Sequence, residues 1–361
     1  MKRAPVLIMA GGTGGHVFPA LAVARVLRSR DEQVVWLGSR HGMETRLVPQ
    51  DGFDIETIRV GGLRRKGALS WLAAPWRLGL ALLDALRVMR RRRPKVVLGM
   101  GGFASGPGGV AAWLLGRPLL IHEQNAVAGL TNRLLAGLAR EVLEAFPGSF
   151  SAARNTRLIG NPVRADIAAL PSPAERMAGR DGPLRLLVLG GSQGARVLNE
   201  TLPQALALLP AAARPEVWHQ AGAATLGLAR EAYRAAGVAA RVEAFISDMA
   251  AAYGWADLVV CRAGALTIAE LAAAGLPALL VPFPGAVDDH QTRNAAFLVE
   301  AGAAVLLPQA QLSPARLAEE IAAHDAGRRL VLERAQRARA LARTGAAETI
   351  ASLCQQLGEA A

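Results

Sequence analysis

The sequence predicts an α/β protein built from two Rossmann-like domains facing a cleft. Three observations carry that expectation. Short, nearly continuous apolar runs alternate with helical stretches, the mark of parallel strands covered on both faces. The pattern then restarts. Gly190-Gly191-Ser192-Gln193-Gly194-Ala195 echoes Ala10-Gly11-Gly12-Thr13-Gly14-Gly15 about half a chain later. Finally, 361 residues at 52% hydrophobic and 19% charged suit two globular domains and exclude a disordered chain.

In chain order, Ala4 to Ala10 reads as a buried strand and Pro19 to Arg30 as the helix after it. Gln33 to Gly38, Lys95 to Gly99 and Pro118 to His122 are further strands of the first half. The second half opens on Pro183 to Leu189. It continues through Glu216 to Gln220, Val242 to Phe245, Leu258 to Cys261 and Pro277 to Val281. Residues 1–163 form the first domain and 164–361 the second, with the last helix free to pack back on the first. The hinge lies between Gly160 and the Pro- and Ala-rich stretch that ends at Pro183.

The charge is uneven. The chain has 41 Lys and Arg against 29 Asp and Glu, a net +12. Between Arg59 and Lys95 stand eleven cations and one acid, Asp84, so one window holds +10 of that total. A local patch needs a local partner: nucleic acid or an anionic membrane surface. Cys261 and Cys354 form neither a disulfide framework nor a metal-ligand cluster, which fits a reducing compartment. The uncharged run Val96 to Gly116 is long enough to suggest a membrane span. Its seven glycines and Pro107 instead favour strand, loop and helix start. The N-terminus shows no apolar signal core, and the expected compartment is the cytoplasm.

A glycine-rich turn between strand and helix exposes backbone N–H groups at the positive end of a helix dipole, a natural place for phosphate. A dinucleotide reading fails because Val17 replaces the third glycine of the fingerprint, and Gly38-Ser39-Arg40-His41 lacks the ribose-binding acid. No glycine loop ends in Lys followed by Ser or Thr. What remains is a phosphate-bearing ligand that is neither a typical dinucleotide nor an ATP bound by a Walker loop, and a nucleotide sugar fits. Ala265 to Thr267 open a helix where amides can hold a phosphate, and Glu270, one turn along, can accept from two ribose hydroxyls. The alternative for Glu270 is a carboxylate favoured only by the helix dipole. Asp288, Asp289, His290 and Gln291 offer polar atoms for a sugar. His122-Glu123-Gln124-Asn125 closes a strand where ligand residues of a parallel sheet collect. His16, on the first glycine loop, is a general-base candidate, because histidine ordinarily titrates near neutrality.

Together these segments resemble a known family. Gly11 to Ala20, Met100 to Gly109, His122 to Asn125, Gly160 to Arg164, Gly190 to Ala195 and Cys261 to Thr267 are similar to the peptidoglycan N-acetylglucosaminyltransferases that make lipid II. The resemblance runs in order over nearly the whole chain. It implies a glycosyltransferase-B architecture and transfer of GlcNAc from UDP-GlcNAc to the muramyl 4-hydroxyl of lipid I. It also implies inversion at the anomeric carbon and work at the cytoplasmic face of the membrane, beside cell-wall synthesis and division proteins. Carried over by position, Ser192, Arg164 and the turn Ala265, Leu266, Thr267, with Ile268 and Ala269 behind it, hold the UDP moiety. Ile246 lies at the uracil, Glu270 binds the ribose and Gln291 the GlcNAc. Thr13, Gly14 and Gly15 line the cleft, Asn125 lies near donor sugar and acceptor, and His122 and Glu123 stand on the acceptor side. Direct displacement needs one base and a stabilised diphosphate, so no metal or other cofactor is expected.

The basic window gains a meaning on a helical wheel. Leu78, Leu82, Leu86 and Met89 share one face, the expected core stripe. Trp76, Leu80 and Leu83 fall among Arg77, Arg87 and Arg91, with Arg90, Arg92 and Arg93 at the end. Apolar side chains beside exposed arginines suit an interfacial surface meeting acyl chains and anionic head groups, together with the loop Gly61 to Ser70. The neighbours are leucines rather than stacking aromatics, so nucleic acid ranks last. Two further alternatives are a UDP-GlcNAc 2-epimerase on the same fold and a non-catalytic recruiter of polyprenyl lipids.

Overall fold

The computed structural model describes residues 4–61, 74–151, 154–191, 194–325 and 327–360. Ser192 and most of the 61–70 loop lie outside the described residues. The chain divides into two compact units, Met1–Val163 with Thr344–Ala361, and Arg164–Arg343.

The first unit is a seven-stranded sheet in which every pairing is parallel. Its strands are β1 (Val6–Met9), β2 (Val34–Ser39), β3 (Asp54–Ile58), β4 (Val96–Gly99), β5 (Leu119–Glu123), β6 (Glu141–Glu144) and β7 (Arg157–Leu158). They stand in the order β3-β2-β1-β4-β5-β6-β7. Its helices include α1 (Gly14–Ser29), α2 (Glu44–Gln50), α3 (Ala74–Arg92), α4 (Ser105–Leu114) and α5 (Leu130–Leu135). All of β1 is buried because both faces are covered. Val6 and Ile8 meet Val17, Ala20, Ala24 and Leu27 of α1 on one side. Leu7 and Met9 meet Ala81 and Ala85 of α3 and Ala111 and Ala112 of α4 on the other.

Two expectations change here. Helix α1 begins at Gly14 rather than Pro19, so Gly14, Gly15 and His16 form its first turn and Pro19 lies inside it. The buried stripe from Val17 to Leu27 holds the helix strongly enough to carry glycines in its first turn. Helix α3 is laid down on Ala81, Ala85, Val88 and Met89, with Leu82 and Leu86 flanking that core. Small residues let it approach its neighbours closely. Leu78, expected in the core, is 47% exposed. The run Val96 to Gly116 is strand, turn and helix, and no described helix is long and apolar enough to cross a membrane.

The second unit repeats the plan with six parallel strands, β8 (Arg185–Leu189), β9 (Glu216–Gln220), β10 (Arg241–Glu243), β11 (Leu258–Cys261), β12 (Ala278–Leu280) and β13 (Ala304–Leu306). They stand in the order β10-β9-β8-β11-β12-β13. Relative to its first strand, this is the same doubly wound order as in the first unit. The helices are α6 (Ala165–Ala168), α7 (Pro173–Met177), α8 (Arg196–Ala207), α9 (Leu226–Ala235), α10 (Met249–Trp255), α11 (Ala265–Ala274), α12 (His290–Val299), α13 (Pro314–Asp325) and α14 (Arg328–Ala340).

The last helix, α15 (Ala346–Glu359), belongs to the first unit. It packs on α1 through Ile350, Ala351, Leu353 and Cys354. Arg30, just after α1, donates to Ser352 and Gln355, and Gln355 donates to Glu32, which also pairs with Lys95.

Candidate active site

Doubly wound sheets bind ligands at the carboxyl ends of the strands where the strand order reverses. In the first unit that point lies between β1 and β4, and the loops there carry the Gly11–Gly15 and Gly101–Gly109 motifs. Gly101 and Gly102 both have positive φ, which favours glycine. They also sit against the first loop: a Cβ on Gly102 would fall 2.3 Å from the Gly11 carbonyl oxygen, and one on Gly101 would fall 2.6 Å from His16 Nδ1. The two glycine motifs are therefore close-packed partners, and His16 is half-buried between them.

His16 Nδ1 lies 2.8 Å from Gln124 Oε1. The Gln124 amide can be oriented without ambiguity, because its Nε2 donates to the main-chain carbonyl of His122 (3.1 Å), which can only accept. Gln124 Oε1 is thus the acceptor from His16 and Nδ1 carries a proton, so in the neutral ring the lone pair is on Nε2. Gln124 Nε2 also donates to His122 Nδ1 (3.0 Å), so the proton of His122 sits on Nε2 and is given to the Gly160 carbonyl (2.9 Å). His122 is fully buried, and desolvation is the main cause of a pKa lowered to about 4, so it stays neutral. Asn161 donates to the Gln124 carbonyl (3.0 Å), so Gly160 and Asn161 brace the end of β5.

In this network the acceptor-side candidates His122 and Glu123 support the loop after β5. Both side chains are buried. Glu123 accepts from the Asn125 amide (2.9 Å), Asn125 Nδ2 (3.2 Å), the Gly129 amide (3.1 Å) and Asn132 Nδ2 (2.8 Å). Its oxygens hold the loop after β5 in place and leave it nothing to present to a substrate. Asn125, half-buried, is oriented by that carboxylate. Thr13 is the N-cap of α1 without a side-chain capping bond, and Thr13 and Gly15 are exposed.

In the second unit the reversal lies between β8 and β11. Gly264 is the N-cap of α11, and no described group bonds the amides of Leu266 or Thr267. These are orphan donors at a helix N-terminus, where an anion is favoured. Ile268 is buried and Ala269 half-buried behind them. Glu270 is only 7% exposed; its Oε2 accepts from the Tyr253 hydroxyl (3.0 Å), and Arg164 Nε stands 3.6 Å from its Oε1. Burial pushes the Glu270 carboxyl up, while Arg164 and the Tyr253 hydrogen bond pull it down by less. Ile246 is buried and donates its amide to Gln220 Oε1 (2.9 Å). Gln291 Oε1 accepts from the Phe283 amide (2.9 Å), which leaves its NH₂ to meet a hydroxyl. Arg262, by contrast, gives its donors to the Val281 and Pro282 carbonyls and to Gln309.

The basic patch of the first unit is smaller in space than along the chain. Arg59 and Arg87 pair with Asp84 at 2.7 and 3.5 Å. Arg91 pairs with Glu56 at 2.5 Å, and Arg92 pairs with Glu56 at 2.8 Å and Asp54 at 3.4 Å. Partial burial opposes it, but hydrogen bonds from Arg92 and Arg91 hold the Glu56 carboxyl below its ordinary range. Arg90 and Arg93 make no ion pair among the described residues. Trp76 is 72% exposed, Leu83 is exposed and Leu80 half-buried, and Leu78 joins them. Trp113 and Leu114 at the end of α4, which packs on α3, are exposed as well.

Two residues outside the motifs thus enter the picture, Tyr253 and Glu44, the latter a buried acid bonded to the first glycine loop, and Gln124, inside a motif but given no role of its own, joins them.

The comparisons agree with this geometry. Residues 6–144 match the glycosyltransferase family 28 N-terminal domain, and residues 185–353 match the family 28 C-terminal domain. A protein of Nitrosococcus oceani named UDP-N-acetylglucosamine–N-acetylmuramyl-(pentapeptide) pyrophosphoryl-undecaprenol N-acetylglucosamine transferase is 62% identical, covering 98% of each chain. A protein of Alkalilimnicola ehrlichii with the same name is 61% identical over 97% of this chain and 98% of its own. The crystal structure of Acinetobacter baumannii MurG matches at 41% identity and a TM-score of 0.86, over 98% of this chain and all of that one. The calicheamicin glycosyltransferase CalG4, at 18% identity and a TM-score of 0.68, shares the fold.

Proposed function

The chain belongs to glycosyltransferase family 28, and we infer that it moves N-acetylglucosamine from UDP-GlcNAc to the muramyl sugar of lipid I, giving lipid II. The observation that carries this reading is near-complete, end-to-end similarity to transferases of that name at about three-fifths identity. The two α/β domains are those of the glycosyltransferase-B architecture.

The reading of individual residues is our proposal. His16 Nε2, with its lone pair fixed by the Gln124 bond to Nδ1, takes the proton from the acceptor 4-hydroxyl as that oxygen bonds to the anomeric carbon. The bond from that carbon to the UDP oxygen breaks on the opposite face, and the configuration inverts. The leaving diphosphate gathers charge, which the amides of Leu266 and Thr267, Ser192 and Arg164 are placed in the sequence to meet. Glu270 accepts from the ribose, Ile246 borders the base, and the Gln291 NH₂ meets the sugar. This chemistry calls on no metal.

The test is incubation with radiolabelled UDP-GlcNAc, with and without lipid I. Label should enter lipid only when lipid I is present. Isomerisation of the sugar without acceptor would make the protein an epimerase, and lipid binding without turnover would make it a recruiter.

We further propose that the protein docks peripherally on the cytoplasmic face of the membrane through α3 and the end of α4. Trp76, Leu78, Leu83 and Trp113 meet acyl chains there, while Arg90 and Arg93 meet anionic head groups. At roughly 1 kcal/mol per cation near such a surface, Arg90→Ala with Arg93→Ala weakens binding to anionic vesicles about tenfold or more. Arg91→Ala, whose charge is shared with Glu56, costs less. Equal loss from the two variants in co-sedimentation would remove this assignment.

A further inference from the structure

Glu44, the first residue of α2, has no exposed surface at all. Its Oε1 accepts from the Ser39 amide (2.9 Å) and the Ser39 hydroxyl (2.7 Å), and its Oε2 accepts from the Gly12 amide (3.1 Å). Among the described residues no cation stands within ion-pair reach of it. An unpaired buried carboxylate is expensive unless hydrogen bonds surround it, so this one is held by its three donors. Those donors come from Ser39, the last residue of β2, and from Gly12 in the loop after β1, next to the point where the strand order reverses.

The glycines around it show how closely the site is built. A Cβ on Gly11 would fall 2.4 Å from Glu44 Oε1, one on Gly38 would fall 2.7 Å from its Cγ, and one on Gly42 would overlap its carboxylate outright. None of these three glycines has a positive φ. They are glycines because the carboxylate occupies the space a side chain would need. The Gly12 amide, which a phosphate-binding reading of the loop would offer to a ligand, is already taken by an internal anion.

The same loop is pressed from the other side by Gly102 against the Gly11 carbonyl, and it runs through Thr13 into the turn that carries His16. We infer that Glu44 is a positioning residue for catalysis: it ties the Gly11–Gly12 segment to the end of β2, and through that segment sets where His16 Nε2 points. It touches no substrate. Its carboxylate also keeps the Gly12 amide closed to donor phosphate, which leaves diphosphate binding to the second unit. The inference rests on the transferase reading for its kinetic readout.

The experiment is a double-mutant cycle between Glu44→Gln and His16→Ala, followed by lipid I-dependent transfer. Glutamine keeps the volume but aims an NH₂ at one of the donors. Alone it should lower kcat by about 10- to 100-fold, the usual consequence of displacing a catalytic group by an ångström or less. KM for UDP-GlcNAc should stay within about twofold, since the nucleotide-binding residues lie in the other unit. In the His16→Ala background the substitution should cost almost nothing more. Should Glu44→Gln fail to fold by circular dichroism, Ser39→Ala carries the same cycle. It removes one donor of three and should give a smaller loss with the same non-additivity. Equal loss in both backgrounds, or a rise in KM for UDP-GlcNAc that matches the fall in kcat, overturns the proposal. Absence of lipid I-dependent transfer in the unsubstituted protein overturns the transferase reading instead, and shows itself before any variant is made.

Discussion

Two buried glutamates near the carboxyl ends of parallel strands have opposite fates in this molecule. Glu44 in the first unit is sealed: three donors from Ser39 and Gly12 surround the carboxylate, and three glycines make room for it. Glu270 in the second unit has one tyrosine hydroxyl at 3.0 Å and one arginine at 3.6 Å, and retains some exposure. The first is spent on holding a loop; the second keeps acceptor capacity for a ligand. In the proposed mechanism the same fold order, used twice, yields one unit organised around a histidine base and another organised around a nucleotide. Burial alone does not separate these roles. The identity and number of the hydrogen-bond donors does.

The sharpest way to break that division is His16→Ala. Loss of a general base costs about 10²- to 10⁴-fold in turnover. If the first unit supplies chemistry alone, UDP binds the variant by calorimetry with unchanged affinity. A variant that loses UDP affinity along with kcat would put His16 in the nucleotide site and dissolve the contrast. Next in size is Glu270→Ala. A hydrogen bond to a charged group is worth about 1.5–3 kcal/mol, so UDP should bind about 10- to 100-fold more weakly. The penalty that the unsubstituted protein imposes on 2′-deoxy-UDP should largely vanish in the variant. A discrimination that survives would move ribose recognition to another residue.

How much of this was legible beforehand depended on range. The strands could be read because every residue of β1 and β4 is buried, so apolar runs appear unbroken in the sequence. Strand β3, Asp54–Ile58 at the sheet edge, has mixed burial and gives no such run. The start of α1 was hidden because Gly14 and Gly15 read as loop, although the tertiary contacts of Val17 to Leu27 make them helical. The leucines of α3 drew attention from Ala81 and Ala85, on which the helix is actually seated. Motifs placed His16 and Glu270, but the atoms that define their chemistry lie far away in sequence. Gln124 is 108 residues from His16, and Tyr253 lies a strand and a turn before Glu270. No local pattern announces such partners. Glu44 is the extreme case, since Gly11, one of the three glycines that make room for it, sits in what reads as a phosphate loop.

The smallest predicted effect tests the second unit's side of the contrast most closely. Tyr253 is fully buried, and burial, then the charge of Glu270, pushes its hydroxyl well above the ordinary tyrosine range, so it acts only as a donor to Glu270. Tyr253→Phe removes that donor and little else, a loss of about 1 kcal/mol or roughly fivefold in UDP affinity. Its direction with pH is the stronger signature. Ribose hydroxyls donate to the ionised carboxylate, so affinity is complete above the pKa of Glu270 and falls as pH drops through it. Burial already raises that pKa, and the Tyr253 hydrogen bond restrains the rise. Removing the bond lets the pKa climb further, so the loss of affinity should begin at a higher pH in Tyr253→Phe. Glu270→Gln, which cannot titrate there, supplies the baseline set by the phosphates of UDP. If Tyr253→Phe weakens UDP equally at every pH, the hydroxyl supports packing rather than the charge on Glu270. The second glutamate would then be held as rigidly, and for the same structural purpose, as the first.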